Sequence, residues 1–273
     1  MIYSVGVDIS IGFTKEVYYF SYKGISFKYV PHYKKRETDD LMCEILSEKC
    51  APERYELMTE FLAAFTFGNN SQAIVSGGII GGNPVKLINS RIRFVRKRSI
   101  MVTTTMDKFY KLSLLRTPEQ IQLARLYREA FSSNNVYLKI LFYWHCLVFP
   151  NVRETKAVTY IDNVNGDVPK TLEHMKTLIK RICDNRVFLE DVKREDSLGK
   201  YIKNSVRHSI AHIVRKPGYG IDLKLDSWEQ TRHLNDVAFF MQNIARYRLE
   251  NDYDMEASND MKIFHYVKED ELI

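Results

Sequence analysis

Alternating hydrophobic and polar positions mark the beginning of the chain. Residues 2–9 alternate in this way, and runs of β-forming residues follow at 17–20 and 25–30, separated by Gly12 and Gly24. A period of two places successive side chains on opposite faces of a sheet, and aromatic and β-branched residues favour strands. The first 35 residues are therefore predicted to form strands.

A mixed pattern follows. Residues 39–50 carry a mixed helical signal, and Pro52 then occupies the first turn of a predicted helix. The apolar residues of that helix recur at helical spacing, at Tyr55, Met58, Leu62 and Phe65. Beyond it, residues 86–95 and 100–106 are further strand candidates. Residues 1–115 are thus predicted to be a β-rich α+β domain.

Paired glycines stand inside this domain, at residues 77–78 and 81–82. Their spacing matches neither the dinucleotide-binding nor the P-loop pattern, and no Gly-Lys-Ser/Thr sequence follows them. Glycine pairs are typical of turns between strands, so turns are predicted here.

Helical periodicity dominates from Thr117 onwards. Thr117 is a favourable N-cap, and Pro118 fits the first helical position. Five helices are predicted, at residues 117–131, 136–149, 169–184, 197–216 and 228–249. Trp144, His145 and Trp228 are expected in their core. The overall prediction is an α+β fold, in which a helical bundle at 116–250 follows the β-rich domain and an acidic tail at 251–273 ends the chain.

Charge and cysteine content narrow the range of partners and cofactors that the chain is expected to bind. The chain carries a net charge of +6, but Glu250–Ile273 holds eight acids and two bases, which leaves a net charge of +12 on residues 1–249. A basic body suits a polyanionic partner, and the tail is expected to be solvated and disordered, or else to mimic RNA. The four cysteines lack CxxC spacing, so free thiols in a reducing cytoplasm are expected, without a metal or another cofactor.

The predicted helix at 197–216 separates apolar from chemically active residues. At about 100° per residue, one arc holds apolar residues and a serine: Leu198, Ile202, Val206, Ser209, Ile210 and Ile213. The opposite arc holds Asn204, Arg207, His208, Ala211 and His212. Histidine can exchange a proton with a ribose 2′-OH near neutral pH, and arginine can stabilise charge on a phosphorane. A solvated face or an interhelical hydrogen bond is the alternative interpretation.

The segment Arg207-His208-Ser209-Ile210-Ala211-His212 resembles the signature of the HEPN superfamily. That signature is an arginine, a polar residue, a short spacer and a histidine. Residues 123–130 and 137–141 resemble the first helices of the ApeA-like and MauJ-like HEPN branch. The resemblance covers roughly residues 117–250.

This resemblance implies a homodimer in which two motif helices form one cleft, and a metal-independent endoribonuclease of toxin–antitoxin or anti-phage systems. His212 is then the acid/base group, Arg207 the transition-state anchor and His208 an auxiliary contact. We add Asn204 as a substrate-positioning residue. RNA is the expected partner, together with a possible antitoxin or regulatory protein, and no membrane is expected. The alternatives are a non-catalytic nucleotide- or RNA-binding or dimerisation module, and a MauJ-like metabolic accessory protein.

A basic stretch at residues 91–98 is a second candidate for RNA contact. If it is a strand, Arg91 and Arg93, with Lys97, lie on one face near Phe94 and can follow an RNA backbone. An edge strand protected from aggregation by its charges is the alternative.

Overall fold

The computed structural model describes residues 2–14, 17–44, 51–83, 87, 94–106, 112–186, 188–211, 227–255 and 263–265. Its contacts divide the chain into two compact units. The first comprises Met1–Arg128 and Met255–Ile273, and the second comprises Glu129–Asp254. The first is built on an antiparallel sheet and the second is helical, which confirms the α+β fold class. No helix in the described part of the chain has the length and apolar character needed to cross a bilayer.

The sheet unit contains eight described strands. They are β1 (Ile2–Ile9), β2 (Ile11–Phe13), β3 (Tyr18–Tyr22), β4 (Ile25–Val30), β5 (Asp39–Glu44), β6 (Ala73–Asn83), β7 (Thr104–Met106) and β8 (Ile263–His265). Six of these form one sheet in the order β6-β1-β5-β4-β3-β8, whose neighbours pair antiparallel. β2 and β7 form a separate parallel pair.

The aromatic core of this unit lies between the sheet and helix α1 (Ala51–Asn69), which contributes Phe61. The ring of Phe61 stacks on Phe20 with centroids 4.8 Å apart and on Phe27 with centroids 5.5 Å apart. All three side chains are fully buried, and aromatic pairs of this kind stabilise a core beyond the area they bury. The predicted helix after Pro52 and the predicted strands at 2–9, 17–20 and 25–30 are confirmed.

Three predictions in this unit are wrong. Residues 39–44 form strand β5 rather than a helix, because partners from a distant part of the chain hold its carboxylates: Arg98 pairs with Asp39, and the Phe94 N–H donates to Asp40. The glycine pairs lie inside β6 rather than in turns. A Cβ added to Gly77 would meet the Cα of Gly6 at 2.7 Å, so the glycines allow β1 and β6 to approach closely. Of the tail, Ile263–His265 forms strand β8 beside β3 and is not disordered.

The two remaining strand candidates fare differently. Thr104–Met106, within the candidate at 100–106, forms β7. Most of the candidate at 86–95 lies outside the described residues, and Leu87, Phe94 and Val95 are not in a strand.

The helical unit begins within α2. Helix α2 spans Pro118–Ser132, and its residues up to Arg128 belong to the sheet unit. The other described α-helices of the helical unit are α3 (Val136–Val148), α4 (Glu154–Gly166), α5 (Lys176–Cys183), α6 (Leu189–Arg194), α7 (Leu198–Lys200), α8 (His208–Ala211) and α9 (Trp228–Asp252). A 3₁₀ helix at Lys170–Met175 leads into α5. The caps follow the predicted chemistry: Thr117 Oγ1 accepts the Gln120 N–H at 3.2 Å, and Ser227 Oγ accepts the Gln230 N–H at 3.3 Å.

Sequence periodicity missed α4 and α6, and it misplaced two side chains. In α4 only Ala157, Ile161 and Val164 are buried, which is too narrow an apolar stripe to stand out. Trp144 is buried as predicted, but His145 lies on the solvent side of α3. Trp228 is 77% exposed at the first residue of α9, so its predicted place in the core is wrong.

Candidate functional site

The motif helix, residues 198–211, changes its winding along its length. Ser197 caps it by accepting the Lys200 N–H at 3.2 Å, and α7 follows. Tyr201–Arg207 is a π-helix, and α8 completes the segment. The His208 N–H donates to the carbonyl of Lys203, five residues back. Such π segments are rare and occur frequently at functional sites.

The inward face of the motif helix largely agrees with the predicted arc. Leu198, Ile202, Val206 and Ser209 are buried, Ile210 is half-buried, and Ile213 lies outside the described residues. Three residues that were not predicted on this face, Gly199, Tyr201 and Ser205, are also buried. Glycine and serine are not counted as apolar, so the apolar pattern did not indicate Gly199 and Ser205.

Gly199 allows the motif helix to contact α4 closely. Its N–H donates to Asp162 Oδ1 at 2.7 Å, and a Cβ at this position would meet the backbone oxygen of Val158 at 2.5 Å. A backbone oxygen cannot swing aside as a flexible side chain can. The position therefore requires glycine.

Gly199→Ala is expected to destabilise the protein by about 1–3 kcal/mol, the usual cost of overpacking, reduced by the better helix propensity of alanine. Urea unfolding followed by circular dichroism measures this change. Gly166→Ala is the matched control, because no atom lies within 4 Å of the Cβ added there. Equal midpoints for the two variants would contradict the close-approach argument.

A buried hydrogen bond joins the motif helix to α9. Tyr201 Oη and His233 Nε2 lie 2.7 Å apart, and the ring of Phe188 stacks on the imidazole with centroids 4.4 Å apart. Burial lowers the pKa of His233 to about 4 and raises the pKa of Tyr201. Both groups are therefore neutral at pH 7, and they position the helix rather than exchange protons with a ligand.

Acidification should lower the free energy of unfolding, because the buried His233 resists protonation. The unfolded histidine titrates near 6.5, so between pH 6.5 and pH 4 the unfolded state binds more protons and stability falls as the pH falls. The loss from pH 7 to pH 4 is expected to reach about 3 kcal/mol, measured by urea unfolding at several pH values. His233→Gln should flatten this slope, whereas His145→Gln removes a histidine without touching the buried pair and should retain it. A wild-type slope in His233→Gln would sink this prediction.

On the outward side the structure brings Arg207 and His208 together. Arg207 Nη1 lies 3.4 Å from His208 Nδ1, and Arg207 Nη2 lies 3.0 Å from Glu154 Oε1. The Arg207 side chain is partly exposed, while His208 and Ala211 are exposed, as the helical period predicts. His212 lies outside the described residues.

Glu154 is the first residue of α4, and sequence reasoning missed it. Its other carboxylate oxygen, Oε2, lies 3.6 Å from Lys203 Nζ. Lys203 stands four residues before Arg207, so helical spacing could have shown that the two cations share a face. No local pattern could have shown Glu154, because it comes from another helix.

Asn204, the predicted positioning residue, has a different partner. Its Nδ2 donates to Glu195 Oε2 at 2.8 Å, and Ser205 Oγ donates to the other oxygen of that carboxylate at 3.3 Å. The Asn204 amide is thus held by Glu195 in this structure.

The basic stretch of the sheet unit is only partly described. Arg91 and Arg93 lie outside the described residues. The backbone of the exposed Lys97 forms an isolated antiparallel β-bridge with that of Glu37. Arg98 turns inward: it donates to the carbonyl of Ile9 at 2.7 Å and forms an ion pair with Asp39. The described part, residues 94–98, is therefore not the strand that the RNA stripe requires.

Fold and site together define an α+β protein whose helical unit displays an accessible Arg–His pair on a capped, partly π-helical segment. A family model described as methylamine utilization protein MauJ matches residues 123–250, somewhat less than half of the chain. This part of the chain, motif helix included, is therefore similar to MauJ. No curated protein and no solved structure matches the chain.

Proposed function

We propose that this protein is a metal-independent endoribonuclease of the HEPN type. The observation that carries the proposal is the placement of Arg207 beside His208, 3.4 Å apart on the accessible side of the motif helix. The region similar to MauJ, residues 123–250, contains the whole Arg207–His212 motif.

The motif supplies the groups that RNA cleavage needs. His212 takes the proton from a ribose 2′-OH, whose oxygen then attacks the adjacent phosphorus. The bond from phosphorus to the 5′-oxygen breaks, and the protonated His212 returns a proton to that oxygen. The products are a 2′,3′-cyclic phosphate and a 5′-hydroxyl end. Arg207 stabilises the charge on the phosphorane, and His208 is an auxiliary polar contact.

We further propose a homodimer in which two motif helices face one another and build one cleft. Such an enzyme suits a toxin–antitoxin or anti-phage role, in which the sheet unit senses, recruits or restrains. A partner antitoxin fits the same role.

A non-catalytic module is the second candidate, and one observation favours it. Arg207 already pairs with Glu154 at 3.0 Å within the same chain, as a purely structural arginine does. The MauJ match is also compatible with an accessory role in methylamine utilisation.

The two candidates differ in a simple assay. The purified full chain is incubated with a labelled single-stranded RNA in EDTA, and with a DNA of the same sequence. The nuclease proposal expects RNA cut with 2′,3′-cyclic phosphate ends at a rate unchanged by chelation, and intact DNA. Absence of cleavage by a folded protein, or cleavage that requires an added divalent ion, would favour the module.

A further inference from the structure

One carboxylate on the surface of the helical unit bridges two cations. Glu154 places Oε1 3.0 Å from Arg207 Nη2 and Oε2 3.6 Å from Lys203 Nζ. Both cations belong to the π-helical part of the motif helix, one turn apart. The cluster is built entirely from described residues.

We propose that Lys203 and Arg207 form a phosphate-binding subsite and that Glu154 occupies it in the free protein as an internal competitor. This inference rests on the proposed function, since the ligand is the RNA phosphodiester next to the cleavage point. It adds Lys203 to the residues that contact the substrate, and it explains why Arg207 has a partner inside its own chain.

The chemistry of the two cations suits a phosphodiester. The arginine fork grips two oxygens of a planar or tetrahedral anion, and the lysine ammonium acts as a point charge beside it. A phosphodiester carries one negative charge on two non-bridging oxygens, much as a carboxylate does. The RNA phosphate can therefore take over both contacts of Glu154.

Exposure makes the exchange feasible. The Glu154 side chain is 36% exposed, against 25% for Lys203 and 20% for Arg207, so the carboxylate is the most accessible of the three. Ion pairs at partly exposed positions contribute little, because solvent screens them. Because RNA must first displace Glu154, competition by this carboxylate is expected to make wild-type RNA binding about two- to fivefold weaker than it would be without Glu154.

The test measures binding of a fluorescein-labelled single-stranded RNA by anisotropy. All proteins carry His212→Ala, so that the RNA is not consumed. Glu154→Gln should tighten binding by about two- to fivefold, since the amide keeps the shape but not the charge. Lys203→Met should weaken binding about fivefold and should reduce the salt slope by about 0.7, the value for one lost phosphate contact on a single strand.

The matched control is Glu173→Gln. Glu173 is likewise a surface carboxylate of the helical unit paired with a lysine, Lys176, at 2.6 Å. Its loss changes the net charge by the same amount and should leave the affinity near that of the His212→Ala parent. Circular dichroism verifies that each variant folds, and Lys203→Gln replaces Lys203→Met if the latter does not.

The subsite fails if Glu154→Gln binds no more tightly than Glu173→Gln, or if both Lys203 variants bind like their parent. Either result would overturn the subsite even when the protein with His212 intact cuts RNA. Conversely, tighter binding by Glu154→Gln and weaker binding by Lys203→Met would support the subsite even when no cleavage is found. The binding and cleavage assays thus separate the two proposals.

Discussion

Arg207→Ala and His212→Ala should each slow RNA cleavage by about a hundredfold or more under single-turnover conditions. A positioned histidine that transfers protons typically contributes about 10²–10⁴-fold, and a donor aimed at the charge of a transition state about 10²–10³-fold. Quantification of cleaved ends over time, with enzyme in excess over RNA, isolates the chemical step. Arg207→Lys keeps the charge but loses the planar fork, so most of the loss should persist.

Two exposed residues of the helical unit serve as controls. Lys200 is an exposed residue of the motif helix whose ammonium pairs with Asp196 at 3.1 Å, and Lys200→Ala should cleave like wild type. His174 is an exposed histidine of the same unit, and His174→Ala should also keep full activity. Rates within about threefold of wild type for either Arg207→Ala or His212→Ala would end the assigned roles.

Local chemistry explains which helices the sequence could predict. Thr117, Asn135, Ser197 and Ser227 stand just before helices, and each accepts a backbone N–H of the first turn. These contacts span two or three residues, so they can be inferred from the chain alone. Helix α4 buries only Ala157, Ile161 and Val164, and its Asp162 accepts the N–H of Gly199 in the motif helix, a contact that no local pattern indicates.

The same distinction applies to the candidate site. Arg207 and His208 are neighbours on one helix, so periodicity predicts that they share its outward side. Glu154 and Glu195 approach from other elements, 53 and 12 residues from Arg207 in sequence, and no pattern in the motif indicates them. The π-helical winding of Tyr201–Arg207 was not predicted either, because the fixed period of an α-helix was assumed.

Long-range polar partners also explain the misassigned strand β5. Asp39 accepts the His32 N–H at 2.7 Å and pairs with Arg98, and Asp40 accepts the Phe94 N–H at 2.9 Å. Aspartate is uncommon in strands and rare in cores, so local propensity opposed the observed structure. The strand forms because these partners compensate the burial of its carboxylates.

Arg98→Met is therefore expected to destabilise the protein by about 3–5 kcal/mol, the usual cost of removing one partner of a buried ion pair. The side chains of Arg98 and Asp39 are only 5% and 1% exposed, so screening by solvent is small. The substitution also removes the donors to the carbonyls of Ile9 and Glu37. Urea unfolding of the full chain measures the change, and Arg96→Met, an exposed residue of the same stretch, should cost much less.

The pH dependence of this variant tests the mechanism. Burial raises the pKa of Asp39 above its ordinary value, and Arg98 opposes part of that rise. Without Arg98 the pKa of Asp39 in the folded state rises further. Above pH 4 the folded state then binds more protons than the unfolded state, so stability falls as the pH rises. The loss of stability in Arg98→Met should therefore be larger at pH 7.5 than at pH 5.

The double variant Arg98→Met, Asp39→Asn removes the unpaired charge and should recover part of the lost stability, because the penalty arises from a buried carboxylate without its cation. A double variant as unstable as the sum of the two single variants would show that the two side chains act independently.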